Sequence, residues 1–483
     1  MNGGDRQAGF LQDAPSDGTT KRICIIGAGA GGLAALKVIS ETSYCKSGSW
    51  KIVAYESRAN VGGVWCPAPP TDDPPLTPLY DSLTTNLPHP VMAYTSYPFP
   101  PSTPLFPPAA TVQTYLESYA VHFNLLPLIQ FETTVLNATW RTSHWKVTIS
   151  TNEILEFDHL IVANGHYRVP LVPDVPGLAH WIREGKAFHS AYYRRPQESG
   201  HKVLVVGGGP SGRDISTEMR SYARTVIHSV PDAIPGGVDT FMTRGRPLQF
   251  YEDGRVSFED GFMEEGVDRC ILATGFQFSF PFFGEDVMRK GEVPPHPPLP
   301  SDLFNSTYHV FPIAKYLFPF QSRYPVNSLA FMTVLIRVVP FPLAEAQAYA
   351  IVQAFTDPLS LNRVQEEKAL MSRSQMLMEK GASSPLELAK GWFRFVDDEQ
   401  WDYRDDLFSF AAESGKCRAI KVAKWEKEMY HEKDVLRAAW RDLETRGEAG
   451  RWVEGVGAKG PWEWVDMMYR LLKHIRGEDV GCY

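Results

Sequence analysis

The chain lacks several features that would each have named a class of protein. Its six cysteines, Cys24, Cys45, Cys66, Cys270, Cys417 and Cys482, are scattered and form no C-x-x-C pair. That argues against a disulfide framework, a zinc site and a redox-active disulfide together, and no metal is expected. Basic residues are not in excess: 48 Lys and Arg against 56 Asp and Glu leave a net charge of −8. Such a balance gives no electrostatic footprint for nucleic acid or an anionic membrane. No apolar run approaches a membrane span, since the best candidate, residues 329–343, is broken by Arg337, Pro340 and Pro342. The first twenty residues hold no apolar signal-peptide core, so the triplets at Asn137 and Asn305 read as chance sequons and the compartment as cytoplasmic. At 483 residues the chain exceeds what one core usually holds, and two or three domains are expected.

What is present begins with glycine. The apolar run Ile23 to Ile26 reads as a buried parallel strand and leads into Gly27-Ala28-Gly29-Ala30-Gly31-Gly32. Gly27, Gly29 and Gly32 have the G-x-G-x-x-G spacing, and residues 33–39 continue with helical character. The first glycine permits a tight turn, the second lets a pyrophosphate approach the backbone, and the third lets helix and strand pack closely. Helix N–H groups and the positive dipole end then face the phosphates. A second strand, residues 50–55, ends in Glu56, placed to accept hydrogen bonds from ribose hydroxyls. The paired Gly62 and Gly63 permit a sharp turn against a ligand, and Trp65 offers a flat face.

From Cys66 to Pro108 proline forbids regular helix or central strand, and so long a loop is usually functional or disordered. The segment Tyr80 to Pro88 favours an ordered, functional loop, in which Asn86 carries both a donor and an acceptor. Helical spacing runs from Thr111, a plausible N-cap, to Phe123, followed by an antiparallel meander over residues 131–157. Residues 160–163 return as a buried strand, and 166–200 read as connecting segment.

A second nucleotide signal follows in Gly207, Gly208, Gly209, Pro210, Ser211 and Gly212, again after an apolar strand. The next strand, Thr225 to Ile227, ends in His228-Ser229 rather than an acid, which favours NADP over NAD. Arg213, Arg220 and Arg224 are the candidate 2′-phosphate partners. Two such units in an α/β chain of Rossmann-like type imply two dinucleotides, or two halves of one site. The last hundred residues are helical by pattern, with a solvated charged face around Trp425, Met429 and Leu436.

Taken in order, these motifs resemble the flavin-containing monooxygenases of class B, in the style of their soluble fungal branch. The resemblance rests on the first glycine loop with Glu56, on Gly62-Gly63-Val64-Trp65 and on Thr85-Asn86-Leu87-Pro88. It continues through the second glycine loop, Ala273-Thr274-Gly275-Phe276, and residues 340–347. Gly185, His189 and Tyr193 match the family's F-x-G-x-x-x-H pattern, with Arg183 where phenylalanine belongs.

The resemblance implies a glutathione-reductase-like two-domain flavoprotein with a helical C-terminal extension. Its expected plan is a disordered tail (1–20), an FAD-binding domain (21–199, completed by 286–355), an NADP-binding domain (200–285) and a helical region (356–483). FAD would lie along the first loop, Glu56, Trp65 and the backbone near Val135, and NADPH along the second loop. The implied reaction passes one oxygen atom of O2 through a C4a-hydroperoxyflavin to a nitrogen or sulfur nucleophile of a small molecule, with peptide- or amino-acid-derived metabolites a natural class. Asn86 is expected beside flavin and nicotinamide, and His189 is expected to hinge the NADP domain. Alternatives are a Baeyer–Villiger enzyme, for which Tyr193 stands where tryptophan would be, a disulfide reductase, or a non-catalytic redox-sensing flavoprotein. A homodimer is left open.

Overall fold

The buried apolar runs read from the sequence become the centres of two parallel sheets. The computed structural model describes residues 20–196, 200–396, 398–413 and 420–477; the expected tail, up to residue 19, Cys417 and Cys482 lie outside them. The chain divides into two compact units. One comprises Met1–Cys66, Thr84–Gly165 and Phe278–Tyr483, the other Pro67–Leu83 and His166–Gln277.

In the first unit, five strands run parallel in the order Leu329–Phe331, His159–Val162, Lys21–Ile26, Trp50–Tyr55, Ile129–Gln130. Ile23 to Ile26 are buried because both sheet faces are covered, which is why this strand reads as a continuous apolar run. The helix Ala30–Ser40 is buried from Gly31 to Ile39, packed against the helix Pro340–Thr356, itself buried from Phe341 to Phe355. The meander Val135–Arg141, His144–Ile149, Ile154–Phe157 is antiparallel, and Trp145 Nε1 donates to Ser328 O at 2.9 Å. The helix expected from Thr111 spans Ala109–His122 and is preceded by Pro108, which fixes the entry without a side-chain cap.

The second unit holds a six-stranded sheet in the order Gly236–Val238, Phe241–Arg244, Thr225–Ser229, Lys202–Val206, Arg269–Leu272, Ala187–His189. All neighbours are parallel except the first pair. The expected connecting segment 166–200 therefore contributes an edge strand: Cys270, Ile271 and Leu272 pair with Ala187, Phe188 and His189. This pairing joins the described residues 166–196 to the segment up to Gln277 in one compact unit, whereas the sequence reading draws a boundary between residues 199 and 200. Arg194 ties the loop Pro67–Leu83 into the same unit. Its guanidinium donates to the carbonyls of Ala68, Thr77, Ala191 and Tyr193 at 2.8–3.2 Å.

The described residues between Arg363 and Arg476 are mostly helical, as their spacing predicts. Their charged residues are not all solvated, however. Glu426 accepts from the buried Arg404 guanidinium at 2.7 Å.

Candidate functional site

The glycines of the first loop divide into two kinds. Gly27 has φ +100°, and a Cβ there would lie 2.6 Å from Ala163 O; one on Gly32 would lie 1.9 Å from Gly27 O. These two are fixed by the fold's own backbone. Gly29 has an ordinary extended conformation, and a Cβ there would come no closer than 3.4 Å, to Gly63 Cα. Its smallness leaves room at the helix end rather than resolving a clash.

That loop is braced by the turn at Gly62 and Gly63, both with positive φ. Gly62 N donates to Ala28 O at 3.1 Å, and a Cβ on Gly63 would lie 2.9 Å from Gly29 Cα. Arg58 Nη1 donates to Gly63 O at 3.0 Å. Glu56 is buried at the strand end, its Oε2 accepting from Ala28 N at 2.8 Å and its Oε1 from Arg58 N at 3.0 Å. The carboxylate thus holds the loop from below as well as offering lone pairs to a ligand.

The helix Ala30–Ser40 has no side-chain cap and no acid in its first turn. Its terminal N–H groups suit an anion, as a dinucleotide pyrophosphate requires. Beside the brace, Gln113 Nε2 donates to Val61 O at 2.8 Å, while its buried Oε1, against Gly62, has no partner among the described residues. Ala30 O accepts from Tyr94 Oη at 2.7 Å, and Thr333 lies 3.0 Å from where a Gly31 Cβ would be. Trp65 is half-buried in the turn Gly63–Trp65, and the buried Val135 opens its strand opposite Ile149. Asn86 is exposed in a turn pinned by Thr85, whose N donates to Pro107 O and whose Oγ1 donates to Leu87 O. The Asn86 amide makes no hydrogen bond among the described residues.

The second loop repeats the division. A Cβ on Gly207 (φ +129°) would lie 2.2 Å from Ala273 O and one on Gly212 1.9 Å from Gly207 O, while one on Gly209 would meet nothing within 4 Å. Gly208 faces Val230, and Pro210 opens the helix Pro210–Met219, again without a side-chain cap; Ser211 is half-buried. His228 Nε2 donates to Gly207 O at 2.9 Å, which occupies the histidine that replaces the expected acid.

The three arginines part company here. Arg213 stands in the helix's first turn with Nε donating to Gly208 O at 3.1 Å. Arg220 caps the far end of that helix, over the Phe241 ring, and Arg224 precedes the strand Thr225–Ser229. Since the loop sits at the strands' carboxyl ends, Arg220 and Arg224 lie at the wrong edge for a dinucleotide. Arg246, just past the strand Phe241–Arg244, lies beyond the carboxyl end of the same sheet, beside Asp232 and Glu259.

Burial lowers the His189 pKa to about 4, so the ring is neutral; its Nδ1 accepts from Ala191 N, and its edge meets Phe276. Tyr193 Oη donates to Glu218 at 2.7 Å on the glycine-loop helix. These contacts are those of positioning residues.

Sequence reasoning missed Arg58, Gln113 and Arg194, which hold loops by hydrogen bonds to backbone carbonyls, and Thr333, whose side chain packs beside Gly31. Only Gln113 left a trace, as a polar residue inside the apolar stripe Val112, Tyr115, Leu116, Tyr119. Among the described residues, no His, Cys, Asp or Glu cluster suits a metal, and no helix is long and apolar enough to cross a membrane.

A family model described as flavin-binding monooxygenase-like matches residues 20–234 and 230–293. A thiol-specific monooxygenase of Saccharomyces cerevisiae is 30% identical over 366 residues, covering 72% of this chain and 80% of the relative. Flavin-containing monooxygenase FMO GS-OX-like 2 of Arabidopsis thaliana is 27% identical over 451 residues, covering 86% of this chain and 89% of the relative. Among solved structures, S-allyl-L-cysteine S-oxygenase from Allium sativum superposes with a TM-score of 0.71 at 25% identity, covering 95% of this chain and 98% of that one.

Proposed function

The chain belongs to the flavin-binding monooxygenase-like family, and from that premise we propose that it uses FAD and NADPH to place one oxygen atom of O2 on the sulfur of a small thiol or thioether. That it is an enzyme, a flavin-dependent monooxygenase, follows from the family itself. Sulfur is favoured over nitrogen by one observation: relatives covering most of this chain are named for thiol-specific and S-allyl-L-cysteine oxygenation. The overall balance is thioether, O2, NADPH and a proton giving sulfoxide, water and NADP⁺. FAD supplies the centre that reacts with oxygen and NADPH the two electrons.

The protein's share is binding, orientation and exclusion of water. In this reading the uncapped helix Ala30–Ser40 holds the FAD pyrophosphate at Gly27 to Gly32, and Glu56 uses its remaining lone pairs on the ribose. Trp65 and the backbone at Val135 flank the flavin. The open space at Gly209 receives the NADPH pyrophosphate between Gly207 and Gly212, and Arg213 takes the 2′-phosphate. Asn86 supplies an amide donor that holds a polar group in place without gaining or losing a proton. The two glycine loops thus belong to two Rossmann-like domains of one flavoprotein.

The test is oxidation of NADPH by the purified yellow protein with thioethers, thiols, tertiary amines and a cyclic ketone, each product weighed by mass spectrometry. A gain of one oxygen on sulfur compounds, coupled to NADPH use, is the expected result. Peroxide alone with every sulfur compound, or a lactone from the ketone, overturns it.

A further inference from the structure

Far along the chain from either glycine loop, the first unit contains a cavity of about 310 Å³ walled by the helices Arg363–Glu379, Pro385–Trp392 and Glu399–Ala412 and by the Lys315-Tyr316 turn. Leu370 and Leu407 give it an apolar surface, yet its polar groups are not all spent. Trp392 lines it, is 1% exposed, and its Nε1–H has no partner among the described residues; the same is true of Arg373 Nε–H. The rest of the Arg373 guanidinium is committed, to Glu399 at 2.9 Å and to the carbonyls of Gly391, Trp392 and Arg394. Two buried donors without acceptors are costly, on the order of 1–3 kcal/mol each.

On the acidic side, Lys315 Nζ pairs with Glu366 at 3.0 Å, which neutralises both, and Asp406 stands at the mouth with no ion pair among the described residues. Desolvation pushes the Asp406 carboxyl above its ordinary pKa, with Lys315 opposing. A ligand that satisfies this wall has an anionic acceptor at its buried end, an apolar body and a cationic group at the mouth. The volume sits at the small end of ligand pockets.

A row of contacts leads from this wall to the first glycine loop. Tyr403 Oη donates to Lys315 O at 2.6 Å and accepts from Gln347 Nε2 at 3.4 Å; Gln347 Oε1 accepts from Thr333 N at 3.0 Å; and Thr333 packs on Gly31. Gln347 is fully buried. Lys315, Tyr316 and Thr333 all hold positive φ without being glycine, a conformation kept only where the surroundings enforce it.

We infer that this cavity is a second ligand site, for a small zwitterion with a carboxylate and an ammonium at opposite ends of a short apolar chain, and that its occupant adjusts the first glycine loop through Tyr403, Gln347 and Thr333. The site inference stands without the proposed reaction; only the response of bound flavin rests on it.

The probe is 6-aminohexanoate, a zwitterion whose charges lie at opposite ends of an apolar chain and which has no sulfur to oxidise, titrated into the full-length FAD-loaded protein by calorimetry, with hexanoate and pentylamine as its two charged halves. One-to-one binding is expected, at least tenfold weaker for either half and at least tenfold weaker in Trp392→Phe and in Asp406→Asn. Asp406 is at the cavity mouth, so its variant serves even where the tryptophan variant fails to fold. Bound 6-aminohexanoate is expected to shift the flavin absorption band in the wild type, while Gln347→Leu keeps the binding and loses the shift. No binding of 6-aminohexanoate, 5-aminopentanoate or 4-aminobutanoate overturns the site, as does binding that both cavity variants leave unchanged. An unshifted flavin band in the saturated wild type overturns the coupling.

Discussion

At the scale of single residues, glycines of the same motif answer to different forces. A Cβ on Gly212 would enter the Gly207 carbonyl, whereas one on Gly209 enters empty space with an allowed extended backbone. Gly212→Ala is therefore expected to lower unfolding stability by about 3 kcal/mol, the upper range for overpacking, measured by denaturant melting. Gly209→Val is expected to melt like the wild type, keep its flavin, and lose NADPH-driven flavin reduction in stopped flow. Normal reduction in that variant counts against the second loop as the NADPH site. Asn86, exposed and without a side-chain partner among the described residues, lends itself to a similar separation. Asn86→Ala should retain FAD and stability but divert NADPH oxidation to hydrogen peroxide, with product yield down at least about tenfold, a barrier change of roughly 1.4 kcal/mol. Wild-type yield in that variant removes the residue from the reaction.

At the scale of elements, what could be read in advance depended on whether local chemistry decided the outcome. Ile23–Ile26 and Val203–Val206 are legible because a central parallel strand must be apolar on both faces. The glycine loops are legible because the missing Cβ is itself the requirement. Ala187–His189 is not, being three residues long and made a strand only by its neighbour Arg269–Leu272. Nor are Arg58 and Gln113, whose side chains reach carbonyls that only the fold brings near. Arg220 and Arg224 looked equivalent to Arg213 in sequence, but a helix length separates Arg220 from the loop end. The Pro67–Leu83 loop illustrates the same limit. Its order depends on Arg194, whose half-buried guanidinium serves four carbonyls. Arg194→Ala should cost about 2 kcal/mol locally, seen as roughly 30-fold faster hydrogen exchange in residues 67–83. Unchanged exchange there shows that the loop is ordered by its prolines alone.

At the scale of the whole molecule, buried neutral histidines set an acid limit. Burial lowers His89 and His309 to about 3 and His159 and His189 to about 4, against roughly 6.5 in an unfolded chain. The unfolded chain therefore takes up protons first. Stability is full above about pH 6.5 and falls as pH drops from there toward 4, by on the order of 1 kcal/mol per histidine per pH unit. His89 packs between Phe99 and Trp464, so His89→Phe is expected to flatten this slope between pH 6.5 and 4.5. Chemical-denaturation midpoints across that range decide the matter, and an unaltered slope excludes His89 from the acid response.

The interleaving of the two units carries a consequence for the nascent chain. Synthesis completes the second unit at Gln277, while the first still waits for Leu329–Phe331 to close the edge beside His159–Val162. A polypeptide emerging from the ribosome thus finishes its second module before its first. Any premature stop between those points releases a product whose opening sheet has a raw border ready to recruit a stranger.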